Sequence, residues 1–255
     1  MIINKNLNIE EIRAEYLKNK PNYVVIENLF NMDFIKNCEE EFLNITDDNF
    51  FKYSDKLFEY EKYALNNVDD MPHHLKMIFN FIHSSEFIKF IESITSLNNL
   101  HVDEDRWGGG IHKTKPGGYL SMHRDFNVLP ATYKKQKQYL RTINLIGYLT
   151  DEDQSLNDGY LEFWNDGEIV KIENKFNNWV IFDTRMNYHG HPYPFKGEKP
   201  RMSIASYYYL EQVVEKEIWM STDYLKLPWM EDSEEYQNRR IQRSNPKLRY
   251  SELYK

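Results

Sequence analysis

"GGYLSMHRDFN", residues 117–127, sets a histidine and an aspartate two positions apart, His123 and Asp125, behind a glycine pair. In a strand, residues i and i+2 project from one face, so an imidazole nitrogen and a carboxylate oxygen can hold one ion between them. The pair alone is a weak sign. With 8 histidines in the chain, about half a chance His-x-Asp match is expected. A second one does occur, at His101 and Asp103. Context decides between them.

Outward from this stretch the chain has two textures. After about residue 105, short alternating or aromatic runs are separated by turn residues, the pattern of an all-β unit. The expected strands are "RWGGGIHKT", "YLSMHRDF", "YLRTINLIGYL", "GYLEFW", "EIVKI", "NWVIFDT" and "PRMSIASYYYL", with turns at "KPGG", "LNDG", "WNDG" and "FKGEKP". Their spacing predicts a sandwich or jelly-roll of antiparallel strands. From about residue 8 to 100 the period is mostly helical. There "NYVVIENLF" is a short strand, and "NMDFIKNCEEEFLNI" sets Phe34, Ile35, Cys38, Phe42 and Ile45 at helical spacing. "HHLKMIFNFIH" and "SSEFIKFIESIT" are two further helices, the second started by a serine N-cap. Helices before strands predict an α-helical layer on one outer face of the sheet. Residues 1–210 read as a single domain, helical to about 104 and jelly-roll from about 105. Residues 211–255 read as a charged extension, helical or partly disordered.

Composition excludes several classes. At 255 residues and 41% hydrophobic, with 19 Tyr and 15 Phe, the chain can bury a substantial core and is not of the disordered type. A net charge of -8 with interspersed signs offers no basic surface to track phosphates, so no nucleic-acid partner is expected. The single cysteine, Cys38, excludes an internal disulfide and any Cys-based zinc or iron–sulfur cage, and fits a reducing compartment. The first residues lack the apolar core of a signal peptide, and no apolar run approaches the roughly 20 residues that span a bilayer. The expectation is a cytoplasmic protein with no membrane partner. No feature of the sequence bears on oligomeric state.

Two ligands make a weak site. A third from a distant strand would complete two His and one carboxylate, which leaves coordination positions open and suits non-haem Fe(II). "FDTRMNYHGHPYPFKGEKPRMSIASYYYL" offers His189 and His191, either of which can bind since they share strand parity. Arg201 then opens an apolar-aromatic strand, where a guanidinium is out of place without an anion to fork onto, such as the far carboxylate of a metal-chelating diacid.

In order, His123-x-Asp125, "RTINLIGYL" from Arg141, "DGYLEFW" from Asp158, His189 and "RMS" from Arg201 resemble the Fe(II)- and 2-oxoglutarate-dependent dioxygenases, in the branch similar to prolyl 4-hydroxylases. The likeness covers about residues 107–210, and more loosely the helical region ahead of it. It implies a fold mainly of β structure, a double-stranded β-helix with an α-helical layer. It also implies Fe(II) held by His123, Asp125 and the distal histidine. In the family's pattern that ligand follows the "FDT" strand and is itself followed by Gly, which selects His189. His191 is then a supporting or substrate-facing residue. The distal carboxylate of 2-oxoglutarate is expected on Arg201, with help from Ser203 on the same strand face and from Tyr148, whose alternative is a core role. His112, on the strand before the metal pair, faces the oxoglutarate or solvent. Asn144 shares a face with Tyr148 and is a candidate pocket residue.

The family's Gly-Gly before the Leu-Glu strand is Asp158-Gly159 here, behind the acidic run "TDEDQSLND". Glu162 and Trp164 alternate with Leu161 and Phe163, so one pair faces inward. Glu162 is either a seat for a cationic substrate group or a solvated strand residue. Arg106, Arg124 and Arg185 stand near the motifs as candidates to grip a substrate carboxylate. The implied activity is hydroxylation of an unactivated C–H bond with O2 and 2-oxoglutarate, releasing succinate and CO2. Halogenating relatives have a small residue where Asp125 stands. No peptide-docking module is recognisable, which favours a small polar metabolite as substrate. The competing readings are a protein prolyl hydroxylase and a non-catalytic β-barrel protein that binds a ligand or metal.

Overall fold

The computed structural model describes residues 2–53, 55–129, 138–150, 158–165, 167–185, 188–212 and 222–244. The first part of the chain holds α1 (Ile9–Lys18), β1 (Tyr23–Glu27), α2 (Met32–Leu43), β2 (Phe51–Tyr53), β3 (Glu59–Leu65), α3 (His73–Ile82), α4 (Ser85–Thr95) and β4 (Leu100–Val102). The strand-rich part holds β5 (Gly110–Arg124), β6 (Gln138–Tyr148), β7 (Leu161–Asn165), β8 (Glu168–Ile172), β9 (Asn178–Asp183), β10 (Tyr188–His191) and β11 (Arg201–Gln212). Strand β12 (Asp223–Tyr224) and helix α5 (Glu234–Ser244) follow. Most of the acidic run, residues 151–157, and everything after 244 lie outside the described residues.

Side-chain period sets the layers. In β6 and β9, Ile143, Leu145, Trp179 and Ile181 point to one face, where they pack with Ile35, Phe42, Ile78, Phe87 and Ile91 of α2, α3 and α4. Tyr148, Val180 and Phe182 point to the other face and pack with Leu161, Phe163 and Ile172 of β7 and β8. Each of these large apolar side chains contributes about 1.5–3 kcal/mol when fully buried. The helical layer therefore sits on one outer face of the sheet. Its helices start where small polar side chains accept the first free N–H groups: Asn31 from Phe34, and Ser84 from Phe87.

All pairings are antiparallel, in the order β1-β9-β6-β11-β5-β10-β7-β8. The long strand β5 belongs to both ends of this curl. Its first half pairs with β11 through Gly110 to Thr114, and its second half pairs with β10 through Leu120 and His123. This differs from the expected two strands joined by a "KPGG" turn. The backbone instead bends within one strand, where Gly117 takes φ +82° and the Gly117 and Gly118 groups exchange hydrogen bonds with Phe195. The result is a curled, mainly antiparallel sheet of the jelly-roll type with a helical layer outside it.

The reading of residues 8–100 as mostly helical misses the β2–β3 hairpin. "FEYEKYAL" has a weak alternation because a bulge at Glu61, with φ +48°, shifts the register against β5 between Tyr60 and Lys62. Tyr63 and Leu65 consequently face the helical core, while Glu59, Lys62 and Ala64 line the cavity inside the curl.

Gly147 marks a tight contact in the helical core. A Cβ there would stand 2.4 Å from the indole ring of Trp179. Gly147→Ala is expected to lower stability by roughly 1–3 kcal/mol through this overpacking, read as a shifted urea midpoint with unchanged slope.

Candidate active site

His123 and His189 stand directly opposite each other on β5 and β10, with ring centroids 4.3 Å apart. The His123 Nδ1–H donates to the carbonyl of Ser121 at 2.9 Å, which turns the bare Nε2 toward the cavity. Asp125 follows the end of β5 on the same side. Its Oδ1 lies 3.6 Å from His123 Nε2 and its Oδ2 lies 3.5 Å from His189 Nε2. Each of the three offers a ligand atom within 4.8 Å of the others, and among the described residues no other such His/Cys/Asp/Glu cluster occurs. The packing around them is tight. Phe182 meets His189 edge-on at 5.0 Å, and Tyr224 of β12 stacks on His123 at 5.4 Å.

Burial raises the Asp125 carboxyl, but the Arg141 guanidinium and the adjoining imidazoles of His123 and His189 outweigh it and hold Asp125 below the usual carboxylate range. The two imidazoles and one ionised carboxylate make a mixed nitrogen and oxygen donor set on one wall of a cavity. That chemistry fits an Fe(II) ion with open positions.

Arg201 opens β11 beside this wall. It is 6% exposed, and its Nε donates to the Gly159 carbonyl at 2.9 Å and its Nη2 to the Tyr148 hydroxyl at 3.4 Å. Both partners are neutral, and Arg201 makes no ion pair among the described residues. A buried guanidinium of this kind is matched by an incoming carboxylate. Ser203 pairs in register with Tyr148 on one side and with His112 on the other, so all four residues share one corner. Burial, then the positive charge of Lys62, pushes the His112 imidazole down to about 3. Asn144 and His191 line the same cavity. His191 sits past a register shift from His189, opposite Leu120 rather than His123, and is outside the three-ligand cluster. Burial and the charge of Arg201 hold it well below the ordinary histidine range.

Several candidates lie elsewhere. Arg124 projects from the opposite face of β5 to its neighbours, onto Asp223 at 3.1 Å and over the Tyr188 ring. Arg185 is tied to Asp183 at 2.5 Å, and Arg106 donates to the Glu104 carbonyl. None of these three lines the cavity. Glu162 and Trp164 also face away from it, because Leu161 and Phe163 take the inner side of β7. Glu162 is 2% exposed, accepts from Trp164 Nε1 at 2.8 Å and pairs with Lys171 at 3.0 Å. It is thus neither a cation seat in the pocket nor a solvated residue. His101 packs on the Tyr139 ring, and Asp103 accepts the backbone N–H groups of Asp105 and Trp107.

Other residues of the site were given no role in it by the sequence, Arg141 having stood only as the start of a motif. Arg141 is 1% exposed, lies between the Phe126 and Tyr207 rings at 3.9 and 3.6 Å, and brings Nη1 to 3.5 Å from Asp125 Oδ1. Its signal was a lone arginine in an apolar strand. Lys62 and Glu59 come from the missed hairpin, and Arg239 and Arg243 from α5. Together they enclose a cavity of about 880 Å³, large enough for a metabolite beside a small diacid.

Residues 95–209 match the family model of the 2OG-Fe(II) oxygenase superfamily. With the His-Asp-His cluster, this marks residues 95–209 as an oxygenase domain of the Fe(II)- and 2-oxoglutarate-dependent type. Among solved structures it is similar to a Pseudomonas putida prolyl-4-hydroxylase, at 10% identity and TM-score 0.56, over 79% of this chain and 98% of that one. It is also similar to a prolyl hydroxylase from Trichoplax adhaerens in complex with a hypoxia inducible factor peptide fragment, at 16% identity and TM-score 0.57, over 79% and 90%. A third is HygX from Streptomyces hygroscopicus with nickel, 2-oxoglutarate and hygromycin B bound, at 11% identity and TM-score 0.51, over 77% and 85%. At such identities the likeness establishes the shared fold. No curated protein sequence matches the chain. Among the described residues no helix is long and apolar enough to cross a membrane.

The wall formed by α5 depends on Arg243, which reaches Glu59 at 2.6 Å and Asp55 at 3.2 Å while stacking over the Tyr224 ring. Arg243→Ala would leave Glu59 buried without its cation. A loss on the order of 3 kcal/mol is expected, measured by urea unfolding, with Arg243→Lys restoring part of it.

Proposed function

We propose that this enzyme hydroxylates an unactivated C–H bond of a small polar metabolite, a free amino acid or a biosynthetic intermediate. In this reading His123, Asp125 and His189 hold the iron, and Arg201, Ser203, Tyr148 and His112 seat 2-oxoglutarate. The observation that carries it is the meeting, in one cavity, of two imidazoles and a carboxylate with a buried guanidinium that has only neutral partners. Bound Fe(II), with O2 and 2-oxoglutarate, supplies the oxidising power that converts C–H to C–OH and yields succinate and CO2.

The protein's own part is positional. The Ser121 carbonyl fixes the His123 tautomer, and Arg141 holds the Asp125 carboxylate ionised and oriented. The apolar ring packing of Phe182 and Tyr224 restricts water at the imidazoles. Asp125 fills the position that halogenating relatives leave small, which favours hydroxylation.

A metabolite is favoured over a peptide because β12 and α5 narrow the cavity mouth, with Arg239, Gln242 and Arg243 among its lining. Residues 1–210 are taken as the catalytic unit, to which residues 222–244 add this wall. A cytoplasmic location is proposed from the one cysteine, Cys38, which is buried and free, its thiol pushed up to about 12 by burial and Glu41.

Succinate release from 2-oxoglutarate with Fe(II), screened against amino acids, tests the reading. Stimulation by a free amino acid supports it. Modification of peptides instead, seen by mass spectrometry of a treated proteome, would point to a protein prolyl hydroxylase, and no succinate at all would point to a binding protein. Asp125→Ala is expected to abolish turnover, whereas Asp103→Ala should leave it nearly intact. Arg201→Met should raise the KM for 2-oxoglutarate roughly 10- to 100-fold with metal affinity unchanged, measured by Mn(II) titration.

A further inference from the structure

Lys62 projects from the β2–β3 hairpin into the cavity. It lies on a row in which Lys62 pairs with Thr114 and Thr114 with Arg201, and all three line the space. Its ammonium lies 4.9 Å from the centre of the Tyr53 ring and makes no ion pair among the described residues. The other charges lining the cavity are closed. Lys52 sits on Glu61 at 2.6 Å, Arg239 on Asp55 at 2.9 Å, and Arg243 on Glu59 at 2.6 Å. Arg201 is the seat for the far carboxylate of 2-oxoglutarate. The two positive charges of a bound Fe(II) would be met by Asp125 and by one carboxylate of the cosubstrate. With metal and cosubstrate in place, Lys62 would be left without a counter-charge among the described residues, where Arg141 has only the shared Asp125 as its ion-pair partner. Burying an ammonium away from any anion is costly, and a ligand that brings one removes that cost.

We propose that the substrate carries an oxyanion, a carboxylate or a phosphate, and that Lys62 receives it and so determines specificity. The inference rests on the oxygenase reading of the site. It replaces Arg106, Arg124 and Arg185, which lie outside the cavity, with a cation inside it. Burial lowers Lys62 from the ordinary lysine range, and the nearby Glu59 and Asp125 raise it. An anion at Lys62 would act in the raising direction. Lys62 is a strand residue of an antiparallel hairpin, so its stem is held in place before the substrate arrives.

The test uses the full chain loaded with Mn(II), which does not turn over, and saturating 2-oxoglutarate. Inorganic phosphate and acetate are titrated separately by calorimetry. Wild type is expected to bind one of these anions saturably, and the tighter of the two identifies the oxyanion. Lys62→Met should weaken that binding at least roughly tenfold, Lys62→Arg should retain it, and all three proteins should bind 2-oxoglutarate equally. A thermal melt of each variant verifies folding. Absence of saturable binding, or equal binding by wild type and Lys62→Met, overturns the proposal. A loss of 2-oxoglutarate affinity in Lys62→Met as large as that in Arg201→Met also overturns it, by assigning Lys62 to the cosubstrate. Failure of wild type to bind 2-oxoglutarate with Mn(II) overturns the oxygenase reading itself, and is thereby distinguished from failure of the Lys62 proposal.

Discussion

Antiparallel pairing of β5 with β10 sets His123 across from His189, and the rest of the site is arranged around that register. A slip of β10 by one residue would turn the His189 imidazole to the face opposite His123. The register is held by packing at close quarters. A Cβ on Gly190 would stand 2.8 Å from the carbonyl oxygens of Leu120 and Ser121, so a glycine beside His189 lets β10 approach β5. Because β5 runs through both ends of the curled sheet, the same strand aligns the metal wall with the Arg201 corner.

Charge organises the cavity in a second way. Arg141 is buried between two rings with its guanidinium on Asp125, and Arg201 is buried with neutral partners. Buried cations are unfavourable unless something negative meets them. One is met by a proposed metal ligand and the other awaits a cosubstrate. Arg239 and Arg243 are met by carboxylates of the hairpin region, which fastens the late helix α5 to an early part of the chain. Residues distant in sequence thus close one space.

Much of this was legible in the sequence. Helical spacing of Ile35, Cys38 and Phe42 and the serine cap at Ser84 correspond to α2 and α4. The ordered motifs from His123 to Arg201 carry the family and fold. The geometry brings His123, Asp125 and His189 together, with Tyr148 on Arg201. What stayed hidden depends on tertiary context. The bulge at Glu61 breaks the alternation by which β3 would have been recognised, so Lys62 and Glu59 went unnoticed. "KPGG" has turn composition, yet its backbone pairs on through the bend. Arg124 adjoins His123 in sequence but projects from the other face of its strand, onto Asp223. No local pattern in the charged end indicates that Arg243 meets Glu59.

The most direct measurement is an anomalous difference map at the iron absorption edge, from crystals grown without oxygen in the presence of Fe(II) and 2-oxoglutarate. The account predicts one iron bound by Nε2 of His123, Nε2 of His189 and an oxygen of Asp125, with the keto diacid bridging it to Arg201. Iron bound instead through His191 or at His101 and Asp103, or a diacid turned away from Arg201, would contradict it.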